Sequence, residues 1–182
     1  MTDATLPLPL NIGFLTVFAE GTGFLGGYLV TNSWGRPIEF RLSTAVQPNR
    51  VQQILYGSTL TDYLCADLIG KTLIEKTATV VQLLVTDSLH VLPIRSRADV
   101  PVVAAISGEP PVARPSDRPL FTFTHPRSSA PLSIREEHAP DEGSARAILD
   151  RLDAALDLAE PFARIREAMA EARKMGVTSR AA

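Results

Sequence analysis

The chain is expected to fold as an α+β domain. The expectation is a mostly antiparallel sheet of about six strands, in the order three strands, two helices, three strands, with helices on one face. A proline-rich arm and a C-terminal amphipathic helix follow it. Three observations carry this reading: a glycine-bearing stretch at 21–27 divides two apolar runs, residues 36–43 alternate with a period of two, and prolines crowd into 107–143.

The first three strands form a meander. Residues 12–20 and 24–31 are apolar and strand-like, and Gly21-Thr22-Gly23 between them supplies the positive φ that a short turn needs. Asn32-Ser33-Trp34-Gly35 is a second turn. It leads into 36–43, where Ile38, Phe40 and Leu42 alternate with Glu39 and Arg41.

The same glycines admit another reading. The run Gly21-Thr22-Gly23-Phe24-Leu25-Gly26 fits G-x-G-x-x-G, with a strand-like segment at 11–19 before it and Glu39 downstream for a ribose. Over about ten residues it resembles the first turn of short-chain dehydrogenases and nucleotide-sugar epimerases, with Gly21, Gly23 and Gly26 on the three glycines of that family. The resemblance implies a small nucleotide- or NAD(P)-binding enzyme using the turn 21–27. Two features oppose it. Only 27–31 remain for the helix that should meet the pyrophosphate, and the Tyr-x-x-x-Lys of that family is missing, since Asn32, Leu60 and Asp67 stand four beyond Tyr28, Tyr56 and Tyr63. The meander is the preferred reading, and no cofactor is expected.

Composition narrows the function classes. A net charge of −2, with basic and acidic residues interleaved, shows no electrostatic footprint for nucleic acid, so no nucleic-acid partner is expected. Residues 12–30 are long enough to suggest a membrane span, but Glu20 and a cluster of glycines sit at the centre, so no membrane partner is expected. The N-terminus carries Asp3 and no basic residue, unlike a secretory signal. The single cysteine, Cys65, cannot close an intrachain disulfide, which suits a cytoplasmic location.

Beyond the meander, Pro48, Val51, Ile54 and Leu55 predict a short helix closed by Gly57. A second helix follows, capped by Thr59 or Thr61, with Leu60, Leu64, Leu68, Cys65, Ile69 and Leu73 on a broad apolar face. Residues 79–86 read as a buried strand, Asp87-Ser88 as a turn, 89–95 as the partner strand and 100–106 as a further one. These elements make residues 1–106 the core domain. Residues 107–143 read as a linker that holds half of the fourteen prolines, with an apolar island at 120–124 able to add as an edge strand. Residues 144–176 read as the C-terminal helix, kinked or restarted at Pro161, and 177–182 as a disordered tail.

Candidate chemistry is sparse. Cys65 lies on an apolar stripe and reads as a buried hydrophobe, His90 lies in a predicted strand without a spaced carboxylate, and His125 and His138 fall in the linker. No metal-ligand spacing, phosphate loop or nucleophile elbow is present in the sequence. The leading expectation is therefore a non-catalytic accessory module that assembles with a protein partner or with itself. Its contact residues would be Trp34 and Arg36 on the second turn and Leu152, Phe162, Ile165 and Met169 on the C-terminal helix.

Overall fold

The computed structural model describes residues 9–108 and 118–176. The expected tail 177–182, the N-terminal residues around Asp3 and 109–117 of the expected linker lie outside the described residues. The fold is α+β, built on a mixed seven-stranded sheet in the order β3-β2-β1-β4-β5-β7-β6. The strands are β1 (Asn11–Glu20), β2 (Gly23–Asn32), β3 (Pro37–Leu42), β4 (Leu83–Thr86), β5 (Val102–Ala105), β6 (Leu120–Phe123) and β7 (Leu132–Arg135).

The meander is present. Glu20 pairs with Gly23 across a tight turn in which Gly21 has φ 59°, and β2 then pairs antiparallel with β3. Asn32 organises the second turn: its Oδ1 accepts from the Trp34 and Arg36 amides, each at 3.0 Å, while Gly35 takes φ 76°. No helix starts at the glycines, because Gly23 and Gly26 lie within β2. The nucleotide turn at 21–27 is thus corrected. A Cβ on Gly26 would come within 2.3 Å of Ile69 Cγ2, and one on Gly27 within 2.4 Å of Ile165 Cγ2. The glycines let helices close on the sheet from both faces.

Four of the six strand pairings are antiparallel, close to the expected mostly antiparallel array, and two in the second half are parallel. β4 runs parallel to β1, and β5 parallel to β4, whereas β7 and β6 return antiparallel. The cause is local. Residues 89–95, expected as a strand, lie in a 3-10 helix (Leu89–Ser96) in which Val91 and Ile94, three apart, are both buried. A helical connection carries the chain over the sheet before β5, so β4 and β5 share a direction. Residues 120–123, within the expected apolar island, form the edge strand β6, and residues 132–135 form β7, so the sheet draws two strands from the segment expected as a linker.

Helices cover both faces of the sheet rather than one. On one face lie α4 (Asp141–Leu149) and α5 (Glu160–Lys174); Phe162, Ile165 and Met169 of α5 bury against Phe14 and Leu29, and Phe14 meets Phe162 edge-on at 5.7 Å. On the other lie the π-helix Tyr63–Gly70, flanked by the turn α2 (Leu60–Asp62) and by α3 (Lys71–Glu75), and the 3-10 helix. α1 (Arg50–Tyr56) has a complete capping box between Asn49 and Gln52, yet buries none of its residues.

Candidate cleft between the π-helix and β7

Two aromatic residues open the site. Tyr56 ends α1, Gly57 reverses the chain at φ 51°, and Tyr63 begins the π-helix, so the two rings stack with centroids 4.2 Å apart and planes 20° from parallel. The hydrogen bond with Tyr63, and then partial desolvation, push the Tyr56 phenol upward. Beside them lies a cleft of about 340 Å³, lined by both tyrosines together with Asp67, Arg97, Arg118 and Arg135. Three elements supply these arginines. Arg97 follows the 3-10 helix, Arg118 precedes β6, and Arg135 ends β7 with its side chain 4 % exposed.

Each guanidinium meets a carboxylate. Arg97 Nε donates to Asp67 at 2.7 Å, Arg118 Nη1 reaches Glu137 at 3.4 Å, and Arg135 Nη2 donates to Asp62 Oδ2 at 3.4 Å. The first two pairs are open to solvent, where an ion pair is worth about 0–1 kcal/mol, so an incoming anion can compete for the donors. The other carboxylate oxygen of Asp62 contacts His90 Nδ1 at 2.6 Å. A carboxylate on Nδ1 fixes the imidazole and leaves Nε2 as the atom that exchanges a proton.

Sequence reasoning missed this pair because Asp62 and His90 are 28 residues apart, and only the packing of the π-helix on the 3-10 helix joins them. His125, expected to lie loose in the linker, is buried instead. Its Nε2 lies 3.0 Å from Asp150 and its Nδ1 accepts the Arg127 amide, which pins the chain after β6 to α4. Cys65 is buried as expected; desolvation, and secondarily the charge of Asp62, push its thiol up to about 12, which suppresses the thiolate.

The residues expected to contact a partner are not brought together. Trp34 is 75 % exposed and Arg36 is exposed beside it, but Leu152, Phe162, Ile165 and Met169 are buried in this chain's own core. The α5 face proposed for docking is covered by the sheet. Burying each such side chain favours that packing by roughly 1.5–3 kcal/mol. Among the described residues, no group of three or more His, Cys, Asp or Glu could hold a metal ion, and no helix is long and apolar enough to cross a membrane.

No protein-family profile matches the chain, and no curated protein matches it. Among solved structures it is similar to Ciona intestinalis endonuclease V in complex with a DNA containing an inosine followed by a ribo-adenosine. The identity is 10 %, the match covers 93 % of this chain and 89 % of that one, and the TM-score is 0.45. The expected docking residues Leu152, Phe162, Ile165 and Met169 are buried in this chain's own core, and the cleft gathers three arginines beside two tyrosines, so the expectations of a non-catalytic accessory module, of a protein or self partner and of no nucleic-acid partner are withdrawn.

Proposed function

We propose that this chain binds single-stranded nucleic acid in the cleft between the π-helix and β7. The observation that carries the reading is the stacked Tyr56–Tyr63 pair lying along one cleft with Arg97, Arg118 and Arg135. Aromatic faces accept any base, and a base–aromatic stack is worth about 1–3 kcal/mol by alanine substitution. Guanidinium groups hold the phosphates that run alongside, and those of Arg97 and Arg118 sit in exposed pairs that a phosphate can replace. The Asp62–His90 pair, which shares Asp62 with this cleft, supplies an oriented proton-exchanging group near the bound strand. A cytoplasmic location belongs to the same reading and is supported by the buried, unpaired Cys65 thiol.

Fluorescence anisotropy of a labelled oligonucleotide of about twelve residues tests the proposal. Saturable binding is expected, tighter for a single strand than for a duplex. Tyr63→Ala and Arg97→Gln should each weaken it by about tenfold. Absence of binding, or equal affinity in both variants and the parent protein, refutes the assignment.

A further inference from the structure

We infer that the strand held in this cleft is RNA, and that His90 cleaves it by taking the proton of a ribose 2′-hydroxyl so that its oxygen attacks the adjacent phosphorus. The inference rests on the binding reading given above and adds to it a substrate class and a reaction.

Two hydroxyls select the sugar. Thr59 and Ser96 line the cleft, and each commits its proton to its own chain: Thr59 Oγ1 donates to the Tyr56 carbonyl at 2.7 Å, and Ser96 Oγ to the Pro93 carbonyl at 2.9 Å. Each oxygen is left as an acceptor. The 2′-hydroxyl of a neighbouring ribose can donate to it, whereas DNA has no donor at that position.

The 3-10 helix places the base. At three residues per turn, His90, Pro93 and Ser96 stand in one column, and the latter two line the cleft, so His90 lies one turn, about 6 Å, along the same face. Asp62, also in the lining, holds the imidazole: its Oδ1 meets Nδ1 at 2.6 Å while its Oδ2 accepts from Arg135 Nη2 at 3.4 Å. Among the described residues His90 Nε2 has no hydrogen-bond partner, and no buried side-chain nitrogen or oxygen lacks one, so Nε2 is open to solvent and to substrate. The reaction balances without a co-reactant. Nε2 takes the 2′-hydroxyl proton, the O2′–P bond forms and the P–O5′ bond breaks, while Arg97 and Arg118 hold the non-bridging oxygens and Asp62 steadies the imidazolium. The imidazolium then returns the proton, through a water, to the departing 5′-oxygen, which leaves a 2′,3′-cyclic phosphate on one fragment and a 5′-hydroxyl on the other.

Incubating the full chain with a labelled RNA of about twelve residues, and with the same strand built from 2′-deoxyribose, tests this, with fragments read by mass spectrometry and binding by anisotropy. Cleavage of the RNA alone is expected, with a cyclic phosphate as the first product. His90→Gln should slow cleavage about a hundredfold at saturating RNA, the lower end of what a positioned base contributes. The 2′-deoxy strand is compared on the parent protein, so that result does not depend on how a variant folds. RNA that binds but stays intact, cleavage of the 2′-deoxy strand, a linear phosphate as first product, or an unchanged rate in His90→Gln would each overturn the inference and leave the binding reading in place. Failure of both strands to bind would remove the two together.

Discussion

Glu39 shows how one side chain fixes a connection that the sequence leaves open. It projects from β3, accepts from Arg41, and receives the Ala78 amide together with the Thr79 amide and hydroxyl from the loop before β4. The hydrogen bond from Arg41, followed by those from Thr79, lowers its carboxyl from 4.5 to about 2. A carboxylate depressed in the folded state stabilises the fold fully above its ordinary value, and that contribution is lost as the pH falls through the folded value. The melting temperature of Glu39→Gln should therefore lie below that of the parent protein at pH 6. The difference should shrink below about pH 4.5 and close near pH 2. A gap of constant size across that range would show that the hydrogen bonds act without the charge. The sequence displays Glu39 as the polar phase of an alternating strand and as the acid downstream of the glycines, so neither partner loop nor charge dependence could be read from it.

At the scale of elements, the glycines of β2 decide how closely the helices approach. An added Cβ on Gly27 would meet Ile165 Cγ2, a β-branched methyl held on Cβ, at 2.4 Å and Met169 Sδ at 2.7 Å, so α5 must shift or repack. Gly27→Ala is expected to cost about 1–3 kcal/mol by denaturant titration. Because Ile165 is the clashing partner, Ile165→Ala should cost less in the Gly27→Ala background than alone, a coupling that a double-mutant cycle measures. This role also explains what was legible. The meander, the short helix before Gly57 and the edge strand at 120–123 followed from turn residues and period-two alternation, which are local signals. Residues 89–95 misled because a largely apolar run with Pro93 fits a strand as well as a 3-10 helix, and only the parallel pairing of β4 with β5 separates the two. In the second helix the expected face assumed 3.6 residues per turn. The π-helix instead buries Leu64 with Ile69 and Cys65 with Gly70, each five apart, and leaves Leu60 and Leu68 half-exposed. Asp62, Tyr63 and Asp67 reach the cleft on that same segment, so the site was hidden together with the helix register.

For the whole molecule, charge sets what kind of nucleic-acid binding is physically open. A chain with net charge −2 gains little from long-range attraction to a polyanion, so any affinity must come from the two exposed guanidiniums of one cleft, Arg97 and Arg118, and from stacking on Tyr56 and Tyr63. Counterion release then predicts a shallow salt dependence. Two phosphate contacts on a single strand give a slope of log affinity against log salt of about −1.4, and Arg97→Gln should reduce its magnitude by about 0.7. Tyr63→Ala should weaken binding at every salt concentration and leave the slope unchanged, because a stacking contact releases no counterions. Anisotropy titrations between about 50 and 400 mM salt separate these cases. A slope steeper than about −4 would mean that phosphates are held across a broad surface, and a slope near zero would mean that the arginines stay with their carboxylates while the tyrosines act alone.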